Sequence, residues 1–214
     1  MFTKYGYSII GFVAILSFIM IVISIFSQNV YIKYSLATIA LVILLFTLNF
    51  FRDPERVTPN RDDIIVSPAD GKILIVKEIF EKRFLNDNAI QISIFMSPLN
   101  VHVNRIPIDG KIDYLNYVKG EYLIAFHDKA DERNERSEIG IKSKFGKVLF
   151  TQVAGMVARR IVYELNLGDT VKMGNRFGMI KFGSRVDVIV EKGWKINVKE
   201  GDLTKAGETI LFVR

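Results

Sequence analysis

Residues 177-FGMIKFGSRVDVIV-190 alternate apolar and polar side chains on both sides of a Gly-Ser pair. A period of two is the mark of half-buried β-strands, so the stretch reads as strands FGMIKF and RVDVIV meeting at Gly183-Ser184. Glycine inside such a pattern is usually a bulge or tight bend. A hydroxyl placed directly after it also puts a nucleophile beside the most permissive point of the backbone. Working outward, the same alternation recurs in IIV (64–66), KILIVKEI (72–79), AIQISIF (89–95), KIDYLNYV (111–118), EIGIKSK (138–144), KVLFTQVA (147–154) and ARRIVYEL (158–165), with turn signals between them. There is no rhythm of strands and long helices, and no Gly-rich phosphate loop. The expectation is a mostly β domain over residues 64–214, a compact sandwich or barrel-like unit.

The N-terminus has a different pattern. Ile9 to Phe26 and Tyr34 to Phe51 are uncharged apolar runs. Each approaches the roughly 20 residues needed to cross about 30 Å of hydrocarbon. Separated only by Ser27 to Lys33, they predict a transmembrane helical hairpin over 1–51, followed by a Pro-containing linker at 52–63. A secretory signal peptide fits poorly, because no small-x-small cleavage site follows Phe26. Lys4, Arg52, Arg56 and Arg61 outnumber the single lysine of the connector, which places both ends and the β domain on the cytoplasmic face of the cell membrane. Tyr5, Tyr7, Tyr31 and Tyr34 sit where an aromatic belt would lie.

The chain has no cysteine and only two histidines, His102 and His127, which excludes thiolate chemistry and a His-built metal site. A net charge of +6 and a pI near 9.4 call for an anionic partner. With two spans already beside lipid headgroups, an anionic membrane surface is the more economical choice than nucleic acid. The interval 120–139 begins apolar and becomes densely charged. That composition suits a solvated loop, and equally a lid over a site near lipid.

There is an internal echo as well. The stretch 168-GDTVKMG-174 returns as 201-GDLTKAG-207, each followed by an apolar strand, which predicts two quasi-repeated hairpins. Biotinyl and lipoyl carrier domains use similar hairpins, so a membrane-anchored carrier modified at Lys172 is one rival reading. A structural adaptor is another. A serine hydrolase built on Ser184, His102 and Asp70 is a third, weakened by the lack of a G-x-S-x-G elbow.

Read together with the apolar hairpin, 50-FFRDPER-56, 67-SPADGKI-73, 95-FMSPLNVHVNRIP-107 and 182-FGSR-185 make the chain resemble the phosphatidylserine decarboxylases, in their short, membrane-anchored, archaeal-type branch. The resemblance implies a proenzyme that cuts itself between Gly183 and Ser184. It would leave a large chain 1–183 paired with a small chain 184–214, with Ser184 converted to a pyruvoyl group. Phosphatidylserine would then be decarboxylated to phosphatidylethanolamine through a Schiff base on that group. A homo-oligomer is compatible with this picture, and it requires no metal and no nucleic acid.

The residue types suit that chemistry. Glycine offers an unhindered acyl group to the Ser184 hydroxyl, and the hydroxyl needs a base. His102 is the candidate base and later acid, and Asp70 the candidate group to orient it. Longer members of the family carry a second histidine where this chain has Arg105, which becomes a candidate for binding substrate phosphate or carboxylate. The resemblance gives His127 no role.

Overall fold

Both N-terminal apolar runs are helices in the computed structural model, which describes residues 1–121, 133–155, 160–181 and 184–214. α1 spans Tyr7–Phe26 and α2 spans Val30–Phe50. The second helix starts before the uncharged run because Asn29 caps it, its Oδ1 accepting from the backbone N of Tyr31 at 2.9 Å and of Ile32 at 3.3 Å. At 1.5 Å per residue each helix is about 30 Å long. Serines turn inward between them: Ser17 Oγ donates to Ala40 O at 3.2 Å and Ser24 Oγ to Lys33 O at 2.6 Å. Large apolar side chains such as Phe12, Phe18, Ile25 and Leu45 are left exposed. Length and surface are both compatible with a bilayer.

Contacts divide the chain into Met1–Glu55 and Arg56–Arg214, a boundary inside the expected linker. The second unit holds β1 (Ile64–Val66), β2 (Gly71–Glu81), β3 (Asp87–Met96), β4 (Val103–Arg105), β5 (Gly110–Val118), β6 (Arg136–Ser143) and β7 (Gly146–Ala154). It continues with β8 (Arg160–Tyr163), β9 (Thr170–Val171), β10 (Arg176–Lys181), β11 (Ser184–Glu191), β12 (Lys195–Ile196), β13 (Leu203–Thr204) and β14 (Ile210–Val213). The described strands pair antiparallel. A curled eight-stranded sheet runs β13-β2-β3-β11-β7-β6-β5-β9, with three-stranded sheets β1-β14-β12 and β4-β10-β8 beside it. The mostly β expectation holds.

β11 lies at the centre of the large sheet, with β3 and β7 on either side. Its Val186, Val188 and Val190 enter the main core with Ile92, Ile94, Met96, Phe150 and Phe177, while Ile189 joins Leu85, Ala89 and Leu149 on the other face. Burial on both faces explains the run of branched apolar residues. β10 and β11 belong to different sheets, so the alternation that looks continuous across 177–190 is a change of sheet between Lys181 and Ser184 rather than a bulge within one ladder.

The Gly-Asp turns are half of a larger repeat. 68-PADGKI-73 returns as 107-PIDGKI-112, and the two turns are bound to the two segments in the same way. Gly201 N donates to Ile73 O and Ile73 N to Asp202 O; Gly168 N donates to Ile112 O and Ile112 N to Asp169 O. Gly207 N donates to Ser67 O as Gly174 N does to Ile106 O. The halves also clasp each other reciprocally, Val66 N on Pro107 O at 3.0 Å and Arg105 N on Pro68 O at 2.9 Å. This quasi-twofold arrangement makes β1 and β4 equivalent, so that Ile64, Ile65 and Val66 answer to Val103, Asn104 and Arg105.

Candidate active site

Ser184 opens β11 fully buried, its Cα opposite Met96 at the end of β3 and Ala154 at the end of β7. Its side chain shares the inward face with Val186 and Val188. Among the described residues its hydroxyl has one hydrogen-bond partner, the thioether of Met96 at 3.4 Å. Gly183 and Phe182 lie outside the described residues. Of the proposed cleavage pair, only the serine is placed.

His102 stands just ahead of β4 and is fully buried. Its Nδ1 is 3.0 Å from Asn100 O. A carbonyl can only accept, so Nδ1 carries the hydrogen, and in the neutral ring Nε2 keeps the lone pair that a base requires. The Asp70 carboxylate has other partners: Ala206 N at 2.8 Å and Arg56 Nη2 at 2.7 Å, with Arg56 Nη1 also 3.5 Å from Glu208. Ser184, His102 and Asp70 are therefore not joined to one another by hydrogen bonds. Asp70 instead belongs to the turn whose Pro68 carbonyl accepts from Arg105 N and, at 3.3 Å, from Asn104 Nδ2.

The residue that joins these parts is Met96. Asn104 Nδ2 approaches its sulfur at 3.8 Å, so the His102–Asn104 segment and Ser184 converge there. Behind Asn104 runs a chain of buried amides. Gln152 Nε2 donates to Asn104 Oδ1 at 2.8 Å, and Ser137 Oγ donates to Gln152 Oε1 at 2.7 Å. Beside it Asn134 Nδ2 holds Ala154 O at 2.7 Å, opposite Ser184. Arg105 is only 5% exposed, with Nη1 on Gly174 O at 2.9 Å, between the two Gly-Asp turns. Burial first, and Arg160 next, push the ammonium of Lys181 below its ordinary value at the end of β10.

Lys172 is exposed in its turn. His127 and the charged centre of the 120–139 interval, residues 122–132, lie outside the described residues. Sequence reading passed over Met96, Asn104, Gln152, Ser137 and Asn134. For Ser137 and Gln152 a signal existed: each is polar at a strand position whose parity matches core residues, Ile139 and Ile141 on β6, Val148 and Phe150 on β7.

Comparison with known proteins agrees with the motifs. The family model described as phosphatidylserine decarboxylase matches residues 43–212. A phosphatidylserine decarboxylase proenzyme of Pelodictyon phaeoclathratiforme is 49% identical over 216 residues, covering 99% of both chains. Proenzymes so named from Chlorobium phaeobacteroides (53% over 175 residues, 82% of each chain) and Salinibacter ruber (51% over 178 residues, 81% of this chain and 78% of the relative) are similarly close. With the family model spanning all but the last two residues of the β unit and relatives near half identity, the chain belongs to the phosphatidylserine decarboxylase family.

Proposed function

We propose that the chain is a membrane-anchored proenzyme that cleaves itself before Ser184, converts that serine to a pyruvoyl group and decarboxylates phosphatidylserine to phosphatidylethanolamine. The observation that carries the proposal is the placement of Ser184: a buried hydroxyl at the first residue of a central strand, whose one hydrogen-bond partner among the described residues is a thioether. A thioether is a weak acceptor, so the hydroxyl gives up little when it turns toward a carbonyl. A cut before Ser184 also leaves the remainder of β11 between β3 and β7, and β14 on β1, so the small chain 184–214 stays bound. The site thus fits a group made from Ser184 in place.

His102 takes the hydroxyl proton on Nε2 and later returns a proton to the substrate carbon. Asp70 acts at one remove, by holding the turn whose Pro68 carbonyl positions Asn104 and Arg105. Burial of Arg105 between the Gly-Asp turns supports a role in setting the site over direct contact with the substrate headgroup. When formed, the pyruvoyl carbonyl supplies the electron sink for loss of CO₂. A buried, water-poor site favours that step by destabilising the substrate carboxylate. The helical hairpin holds the unit beside its lipid, on the cytoplasmic face by the distribution of Lys and Arg.

Intact mass and a denaturing gel of purified protein test the reading. Two chains are expected, the smaller beginning at residue 184 with a blocked N-terminus, together with phosphatidylethanolamine formation from phosphatidylserine vesicles. A single active chain of 24.4 kDa would overturn it.

A further inference from the structure

The quasi-twofold repeat supplies an internal reference for which buried side chains the fold itself requires. Ile65 and Asn104 hold equivalent places: Ile65 pairs with Phe212 and Asn104 with Gly178, each beside a register shift in its ladder. Both are fully buried. One half fills the place with an aliphatic side chain, so an amide in the other is not demanded by the backbone. Burying an amide is unfavourable unless each polar atom finds a partner, and here a relay has been built to orient it.

Each link of that relay decides the next. The Ser137 hydroxyl donates to Gln152 Oε1, so Gln152 presents its NH₂ to Asn104 Oδ1, and Asn104 must present its own NH₂ toward Pro68 O and Met96 Sδ. One N–H of Asn104 is engaged by the Pro68 carbonyl. The other points at the sulfur that also receives the Ser184 hydroxyl. Two donors held on one weak acceptor are ready to be transferred to a better one.

We infer that Asn104 Nδ2 is the hydrogen-bond donor that stabilises the oxyanion formed during self-cleavage, with Gln152 and Ser137 as its positioning residues. The inference rests on the self-cleavage reading above. In that step Ser184 Oγ bonds to the carbonyl carbon of residue 183, the π pair moves onto the carbonyl oxygen, and the Oγ proton passes to His102. When the carbonyl re-forms, its bond to the Ser184 nitrogen breaks and that nitrogen takes up the proton, leaving an ester. The Asn104 N–H leaves Met96 for the oxyanion as negative charge appears, so it stabilises the transition state more than the resting chain.

The test follows cleavage by gel in freshly synthesised full-length chain, with the thermal midpoint measured on the same samples in detergent. Asn104→Leu keeps the branched shape, at a larger volume, and removes the donor; cleavage is expected to slow ~100-fold or more, the usual effect of deleting one oxyanion donor. Gln152→Glu retains Asn104 but places an acceptor where a donor stood, which reverses the amide; it should slow cleavage ~10-fold or more by the same loss. Ile94→Val, a change in the same core that spares both the amide and Met96, should cleave within about threefold of wild type, whereas a merely structural role for Asn104 would make cleavage follow the thermal midpoint alike in Ile94→Val and Asn104→Leu. Wild type that never cleaves would sink the self-cleavage reading and this inference together. Wild type that cleaves, with folded Asn104→Leu cleaving within about threefold of it, would overturn the inference alone. If Asn104→Leu fails to fold, an unchanged rate in Gln152→Glu overturns it just as directly.

Discussion

The segment Ile64-Ile65-Val66 and the segment Val103-Asn104-Arg105 enter equivalent turns, clasp each other through reciprocal hydrogen bonds to Pro107 and Pro68, and are buried to the same degree. One is wholly apolar and the other carries an amide and a guanidinium. The turns that follow differ in the opposite sense. Asp70 and Asp109 each accept a backbone N–H from the facing Gly-Asp turn, Ala206 at 2.8 Å and Met173 at 2.6 Å, but only Asp70 is also held by an arginine among the described residues. What both halves share is what the fold needs. What only one half has is surplus to the fold, and on the Asn104 side that surplus meets Ser184 at the sulfur of Met96.

The largest expected effect comes from swapping the odd pair. Ile65→Asn puts an amide where no relay exists and should cost about 3 to 5 kcal/mol, by loss of apolar packing and an unsatisfied polar group. Asn104→Ile gains apolar burial and leaves Gln152 short of a partner, for a net loss below about 2 kcal/mol. Thermal midpoints in detergent decide the matter. Equal losses would break the claim that Asn104 is carried for function.

Acid sharpens the same contrast with a polar group that is fully partnered and lies outside both halves. Burial pushes the Glu138 carboxyl up, but hydrogen bonds from Arg136, Arg83, Tyr114 and Asn116 outweigh it and bring the carboxyl down to about 2. A carboxyl held lower in the folded chain than in the unfolded one stabilises above the unfolded value, ordinarily about 4.3, and the contribution is lost as pH falls through the folded value. Glu138→Gln should therefore cost about 2 to 4 kcal/mol near neutrality, with the gap to wild type closing between about pH 4.5 and 2. A gap independent of pH in that window would mean the charge is not what holds Arg83 and Arg136.

The aspartates come next. Asp70→Asn leaves Arg56, among the described residues, with the longer contact to Glu208 and should cost about 2 kcal/mol, against about 1 kcal/mol or less for Asp109→Asn. Self-cleavage should slow in the first and not in the second, because only the first turn presents the Pro68 carbonyl to Asn104. Similar cleavage in both, followed by gel, would remove Asp70 from the site.

Much of this architecture was legible in the sequence because strand alternation and the apolar hairpin are local signals. The Gly-Asp echo was visible too, while the matching Pro-x-Asp-Gly-Lys-Ile echo was passed over, and with it the equivalence of Ile65 and Asn104. Ser184 and His102 stood out by residue type. Their neighbours did not, since the partnership of Asp70 with Arg56, or of Asn104 with Gln152, joins residues far apart in the chain and leaves no trace in spacing. The change of sheet after Lys181 was invisible for a related reason: a strand reads the same whichever sheet it joins.

The smallest contrast concerns the glycines that close the two turns. Gly174 and Gly207 both have positive φ, 82° and 77°, so alanine at either should cost about 1 kcal/mol from backbone strain alone. Their surroundings then separate them. A Cβ at Gly174 would collide with Thr58 Oγ1, while one at Gly207 would come within 2.9 Å of Arg105 Cδ, the flexible stem of the side chain whose Nη1 holds Gly174 O. Gly174→Ala should therefore melt lower than Gly207→Ala, and Thr58→Ala should recover part of the loss in the first but none in the second. Gly207→Ala should in turn disturb self-cleavage more than its modest melting shift suggests, because it moves Arg105, next to Asn104 on β4. If Gly207→Ala instead cleaves like wild type, Arg105 is a strut between the turns whose small displacement the site does not feel.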